Sequence, residues 1–371
     1  MIKVGVTGSN GFIGWHLCRT LELDTTKFQL IEFKRQWFNE NINFDLFVSK
    51  CDIIVHLAGL NRHSEESAIY NTNIGLAERL IESFKRLGFK GQVIFSSSIQ
   101  EERNNTFGNS KKAARELFSN WADQSGTTFH GLIIPNVFGA FGEPFYNSVV
   151  STFCHQLVNN NFPKIETDAK LNLIYINDLT KKIIGLFNIE TNDNITIEHT
   201  DTYKVSEILE LLIRFKTKYF ENGQIPNFNN QFEINLFNTF RSYFNLNTHF
   251  PVKYKNNIDE RGNFVEIIRL ETGGQVSFST TKIGITRGNH FHTRKIERFS
   301  VIKGKALIQL RKIGSKEVFD YYLSGNEPAY VDMPIWYTHN IKNISEDELY
   351  TMFWINEFYD SNDPDTYFET V

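Results

Sequence analysis

Two stretches of the chain carry residues whose types and spacing could do chemistry. The first is Thr7-Gly8-Ser9-Asn10-Gly11-Phe12-Ile13-Gly14, a G-x-x-G-x-x-G run. Gly8 permits a tight turn, Gly11 lets backbone approach a pyrophosphate, and Gly14 lets a helix pack closely on a strand. Asn10, Phe12 and Ile13 complete the run. The helix that follows presents free N–H groups and a positive dipole end to phosphates. The second stretch is His290-Phe291-His292, with Glu297 five residues later. Histidines two apart on an extended strand point to one face. Glu297 arrives after a turn, and the distant His339 can supply a fourth ligand. Imidazoles and one carboxylate suit zinc, nickel, iron or manganese; spacing does not choose among them. Zinc is the working assignment.

Elements of two kinds must position these groups. Residues 3–7, 28–33, 53–57, 93–96 and 132–135 are short apolar runs that read as strands, and 14–23, 71–87 and 110–122 show helical spacing. Strand–helix alternation implies an α/β, Rossmann-like parallel sheet covered on both faces. After residue 245 the pattern changes. Runs at 264–268, 276–282, 299–303, 306–312, 318–323, 330–332 and 349–354 are rich in Val, Ile, Phe and Tyr and closely spaced, which implies an all-β sandwich or barrel. The expected domains are therefore 1–245 and 246–371, with a linker over 245–255.

Two features refine the nucleotide reading. Glu32-Phe33-Lys34-Arg35 follows the second strand. An acid there suits the ribose hydroxyls of NAD, whereas a basic residue suits the 2′-phosphate of NADP. Lys34 and Arg35 favour NADPH. Leu57-Ala58-Gly59, after His56, is small enough at its end to let the adenosine side of a cofactor come close.

The T-G-x-x-G-F-I-G run, the His56-Leu57-Ala58-Gly59 string, Ser96-Ser97-Ser98 at a strand end and the downstream Lys111 together resemble the extended short-chain dehydrogenase/reductases. The resemblance implies that Ser97 or Ser98, with Ser98 preferred, orients the C4 oxygen of the sugar, that Lys111 binds the nicotinamide ribose, and that Asn136, after Pro135, lines the sugar pocket. It also places the family's catalytic tyrosine on Phe107, which has no ionisable oxygen. General acid–base catalysis contributes about 10²–10⁴-fold, so the resemblance implies a slow reductase or another proton donor.

The G-x5-H-x-H-x4-E-x6-G spacing from Gly284 to Gly304 resembles the first motif of the cupin (jelly-roll) superfamily. The stretch around His339 resembles the second, with Trp336 where glycine is usual. Thr286-Arg287-Gly288-Asn289-His290 and Asp259-Glu260-Arg261-Gly262 resemble the dTDP-4-keto-6-deoxyhexose epimerases, in which the corresponding histidine is a base. His290 is read as a ligand, because a metal-bound imidazole has its lone pair engaged; Tyr337 and Lys295 are then the candidate bases. Both halves together resemble the bifunctional capsular polysaccharide enzymes of the CapF and WbjC type. That resemblance implies C3 epimerisation and then NADPH-dependent C4 reduction of a UDP-linked 4-keto-6-deoxy amino sugar, for capsule or O-antigen. The alternative is epimerisation alone, with Phe107 disabling reduction.

The 371 residues suit about two domains. A net charge of -4 shows no nucleic-acid footprint, and 34 phenylalanines are read as core filling. Three cysteines make no disulfide framework, which fits a reducing cytoplasm. No apolar run is long enough to span a membrane and the N-terminus does not read as a signal peptide. Cupin domains commonly pair through their sheets, so a homodimer is expected.

Overall fold

The computed structural model describes residues 1–260 and 262–371, with nothing said of the side chains of Gly262 and Asn263; Arg261 of the epimerase-like motif lies outside the described residues. Contacts divide the chain into two units: Met1–Thr152 with Thr167–Val205, and Phe153–Glu166 with Ser206–Val371. Residues 206–245, which the sequence groups with the first domain, thus fold in the second unit.

In the first unit, the apolar runs form β1 (Ile2–Thr7), β2 (Phe28–Ile31), β3 (Ile53–His56), β4 (Gln92–Ser98) and β5 (Phe129–Ile134). They are followed by β6 (Asn136–Phe138), β7 (Lys170–Tyr175), β8 (Asp193–Thr196) and β9 (Asp201–Lys204). A six-stranded sheet runs β2-β1-β3-β4-β5-β8. Every pair in it is parallel. The strand order reverses direction beside β1, so the crevice at the carboxyl ends of β1 and β3 is the usual ligand position of such sheets. The helices of this unit include α1 (Phe12–Glu22), α2 (Asn41–Ser49), α3 (Glu66–Leu87) and α4 (Thr106–Ser125), with a further helix over Ile176–Gly185. Phe44, Phe47, Phe84, Phe95, Phe118, Trp121 and Phe129 share one buried cluster with them, so the phenylalanines do fill core.

Helix α4 starts four residues earlier than its apolar spacing suggests. Asn105 caps it by accepting the Gly108 N–H at 2.8 Å. Gly108 is required there: a Cβ would fall 1.9 Å from the Gln100 carbonyl oxygen. Phe107 therefore lies in the first turn.

The second unit contains β10 (Val252–Lys253), β11 (Asn256–Asp259), β12 (Gly262–Val265), β13 (Gln275–Thr281), β14 (Thr286–Phe291) and β15 (Glu297–Lys303). The rest are β16 (Lys305–Lys312), β17 (Val318–Ser324), β18 (Ala329–Met333), β19 (Tyr337–Asn343), β20 (Leu349–Ile355) and β21 (Tyr367–Phe368). Two five-stranded sheets result, β10-β18-β15-β20-β13 and β17-β16-β19-β14-β21, with β11–β12 as a separate hairpin. All pairs are antiparallel. Alternation along β16 buries Ala306, Ile308 and Leu310 and leaves Leu307 and Gln309 less covered. The expected linker over 245–255 is instead structured: β10 pairs with β18, and the Tyr321 hydroxyl donates to the Leu246 carbonyl at 3.0 Å.

A buried polar network ties residues 219–241 to these strands. Arg298 grips Asp332 through two bonds of 2.8 and 2.9 Å. The Tyr219 hydroxyl donates to the same carboxylate and accepts from Arg241 at 3.2 Å, while Arg241 also donates to the Met333 carbonyl at 2.9 Å. No helix among the described residues is long and apolar enough to cross a membrane.

Candidate functional site

The glycine run is built from backbone packed against backbone. Gly8 has φ +78°, and a Cβ there would fall 2.7 Å from the Ala58 nitrogen. A Cβ on Gly14 would fall 2.1 Å from the Gly8 carbonyl oxygen. The turn closes through the Gly11 N–H donating to the Gly8 carbonyl at 2.9 Å, and the Leu57 N–H donates to the Thr7 carbonyl at 3.1 Å. Helix α1 begins after Gly11 with no side-chain cap. Its first N–H groups, with Asn10 and Gly11 exposed beside them, are thus presented at the switch point of the sheet. Leu57, Ala58 and Gly59 follow β3 directly. Lys34 and Arg35 are exposed past the end of β2, with Lys34 3.5 Å from Glu32.

Phe107 and Lys111 are one turn apart on the same side of α4. The Lys111 side chain is buried, with its ammonium 4.4 Å from the centre of the Phe95 ring. A methyl group on Gly59 would come 3.7 Å from that ammonium. Burial pushes Lys111 down to about 8, against the opposing pull of Glu101. Ser98 ends β4, and its hydroxyl accepts the Gln100 N–H at 3.2 Å. Ser97 turns the other way and donates to Glu101, which Arg115 holds with bonds of 2.9 and 2.6 Å. Asn136 opens β6, where its amide donates to the Asn172 carbonyl at 3.1 Å.

Asn73 escaped the sequence reading. It is buried on α3, exchanges bonds of 2.7 and 3.1 Å with the Leu60 backbone, and donates to Ser110 at 2.8 Å. It thereby links the segment after β3 to the turn of α4 that carries Lys111. A polar residue on the buried face of an amphipathic helix was the available signal.

In the second unit, His290, His292, Glu297 and His339 converge, with one ligand atom of each lying within 4.8 Å of the others. His290 and His339 come from β14 and β19 of one sheet and Glu297 opens β15 of the other. His292 lies just past β14. A bulge at Asn289, which has φ +60°, shifts the register so that His290 pairs with His339. Glu297 Oε2 is 3.0 Å from His292 Nε2 and 3.2 Å from His339 Nε2, yet these three buried atoms are not aligned to hydrogen-bond. Buried polar atoms that converge without bonding are what an ion would satisfy, so the residues fit a metal. The outer nitrogens are fixed in the manner of metal-bound histidines: His292 Nδ1 bonds the Asp365 carbonyl and His339 Nδ1 approaches the Tyr337 carbonyl at 3.3 Å.

The electrostatics differ among the four. Burial, then His339 and His292, push His290 down to about 4, whereas burial at His292 is outweighed by Glu297, which raises it. Burial alone would raise Glu297, but His292 and His339 outweigh it and hold the carboxylate ionised. Lys295, weighed as a base, instead donates to the Pro364 carbonyl at 2.6 Å from a buried position. Burial pushes Tyr337 up to about 12. Trp336 explains the departure from glycine in the second motif. It adopts φ +62°, the conformation glycine takes freely, and its ring stacks on Phe291 at 5.7 Å.

Asp365 also went unread. Its carboxylate accepts the backbone N–H groups of Thr293, Arg294 and Lys295, each at 3.0 Å, and the Thr293 hydroxyl at 2.7 Å. This gathers the turn between His292 and Glu297.

Comparison with known proteins matches both halves. The NAD dependent epimerase/dehydratase family matches residues 4–190, and the polysaccharide biosynthesis C-terminal domain matches 257–367. The UDP-2-acetamido-2,6-beta-L-arabino-hexul-4-ose reductase of Pseudomonas aeruginosa is 31% identical over 369 residues, covering 99% of this chain and 98% of that protein. The crystal structure of the capsular polysaccharide assembling protein CapF from Staphylococcus aureus is similar over 100% of both chains, with 33% identity and a TM-score of 0.61. RMD from Pseudomonas aeruginosa, solved with NADPH, shares the fold over 58% of this chain and 83% of its own, at 19% identity and a TM-score of 0.54.

Proposed function

The chain belongs to the NAD dependent epimerase/dehydratase family, and from that premise we propose an NADPH-dependent reductase and epimerase acting on a UDP-linked 4-keto-6-deoxy-2-acetamido sugar in polysaccharide biosynthesis. The observation that carries this reading is the presence in one chain of a glycine turn at a sheet switch point and a buried His/His/Glu/His cluster between two sheets. In the proposed division of labour, the first unit reduces and the second unit, whose strands after residue 246 are read as a cupin domain, epimerises.

Chemistry sets the order. A C3 proton is acidic only while the C4 ketone can take up the enolate charge, so C3 inversion precedes C4 reduction. The product is then UDP-2-acetamido-2,6-dideoxy-L-talose, on the way to L-fucosamine of capsule or O-antigen. In the first unit, Gly8, Asn10, Gly11, Phe12, Ile13 and Gly14 hold the pyrophosphate, Lys34 and Arg35 the 2′-phosphate, and Leu57, Ala58 and Gly59 the adenosine side. Lys111 holds the ribose, Ser98 orients the C4 oxygen and Asn136 lines the sugar. The dihydronicotinamide, when bound, supplies the hydride for C4. In the second unit, His290, His292, Glu297 and His339 would hold a divalent cation, with zinc assigned, which would supply Lewis acidity toward the ketone or stiffen the barrel.

A second reading, epimerisation alone, is favoured by Phe107, which offers no proton where the family's tyrosine does. Incubating the protein with the 4-keto sugar in D2O, with and without NADPH, separates the two by NMR. The two-step reading expects deuterium at C3 and a C4 alcohol only with NADPH. Epimerisation alone expects deuterium and no NADPH oxidation. Neither signal overturns both. The homodimer belongs to the proposal too; a monomer in sedimentation at micromolar concentration removes it.

A further inference from the structure

Residues 357–371 supply no ligand to the His/Glu cluster, yet they touch the segments that carry all four. Strand β21 pairs with β14 at His290 and Phe291. Glu369 N–H donates to the Asn289 carbonyl at 2.9 Å, beside the bulge that aims His290. The Asp365 carbonyl fixes His292 Nδ1, and the Asp365 carboxylate gathers the backbone that leads to Glu297. The Thr338 hydroxyl, next to His339, donates to the Glu369 carbonyl. Asp365 itself is buried and held at φ +40°, a conformation kept only where the surroundings enforce it.

We infer that Asp365 is a positioning residue for the metal centre, and that docking of the C-terminal segment and binding of the cation form one coupled equilibrium. The inference rests on the metal reading proposed above. Three consecutive N–H groups in the turn after His292 have the Asp365 carboxylate as their common acceptor. Without it that turn loses its anchor, His292 can rotate, and Glu297 no longer arrives opposite the imidazoles. Partners of this kind outside the ligand shell are worth about 10–100-fold in metal affinity. Coupling is reciprocal: the factor by which the docked segment strengthens cation binding is the factor by which the cation holds the segment down.

The test uses the full chain with zinc as probe. Zinc affinity is measured by competition with a chromophoric chelator for the wild type, Asp365→Asn and Thr293→Val. Hydrogen exchange of residues 293–295 and 366–371 is followed with and without zinc. Asp365→Asn keeps the side-chain shape but sets an amide against N–H donors. It is expected to weaken zinc binding about 10–100-fold, and Thr293→Val, which removes one donor, by a smaller factor. Zinc is expected to slow exchange in both segments of the wild type. Unchanged zinc affinity in a folded Asp365→Asn, judged by its thermal melt, overturns the inference. So does exchange in residues 366–371 that ignores zinc. If Asp365→Asn does not fold, Thr293→Val and the wild-type exchange decide. A wild-type chain that takes up no zinc overturns the metal reading itself, and with it the inference.

Discussion

The glycine turn and the His/Glu cluster solve the problem of ligand binding in opposite ways. The turn works by removing matter. Gly8 and Gly14 leave no room for a Cβ, so backbone meets backbone and the start of α1 is bare. Its glycines lie within a few residues of one another, and Leu57 and Ala58 are the distant wall that Gly8 packs against. The cluster works by importing matter. Four side chains from two sheets are brought together, and a segment near the C-terminus holds the turn between two of them. A site made of omissions tolerates no addition, whereas a site made of side chains depends on distant support.

The largest expected effect tests that dependence. His339→Ala removes a ligand outright, and metal content of the purified protein should fall by more than the roughly 100-fold that outer-shell losses reach. Retained metal would mean the cluster is not the site. The next concerns Phe107. Phe107→Tyr restores a phenol one turn from Lys111, and NADPH oxidation with the keto sugar should rise about 100-fold or more while C3 exchange stays constant. An unchanged rate removes position 107 from the proton path.

The turn is tested by addition. Gly14→Ala sets a methyl 2.1 Å from a backbone oxygen that cannot swing away. It should cost about 1–3 kcal/mol in the first unit, as overpacking does, and abolish NADPH binding measured by calorimetry. A variant that binds normally would show that the close approach is not needed.

The smallest effect is a gain. Lys111 is held down to about 8 by burial, from 10.5. Between those values the unfolded chain binds more protons than the folded one, so stability rises with pH across that window and the penalty is full below it. Lys111→Met should therefore stabilise the protein at pH 7 by up to about 3 kcal/mol, with the gain fading as pH rises from about 8 to 10.5. Denaturant melts at several pH values measure it. A loss at pH 7 would show that the buried ammonium is a structural asset.

Much of this was legible in the sequence because it is local. The glycine run, the apolar strands of the parallel sheet and the paired histidines declare themselves by spacing. The strands bearing the histidines were harder. β14 is largely exposed and interrupted by Gly288 and Asn289, so it lacks the alternation by which strands are recognised. Trp336 was visible only as a misfit, since a positive φ leaves no mark on composition. Asp365 was invisible for another reason: a carboxylate that serves backbone donors needs no particular residue at the other end. The helices of residues 206–241 carry ordinary amphipathic spacing and gave no sign that Tyr219 reaches Asp332 or that Arg241 reaches the Met333 carbonyl.

That last network has a practical consequence for cutting the chain. A fragment that begins at residue 246, where the composition changes, keeps Arg298 and Asp332 but discards Tyr219 and Arg241. It would lay open an ion pair made for a dry interior, and would strip the Tyr219 hydroxyl from the Asp332 carboxylate and the Arg241 guanidinium from the Met333 carbonyl. A fragment that begins at Ser206 carries its own cover for that pair, so gene dissection should follow the buried arginines rather than the visible seam.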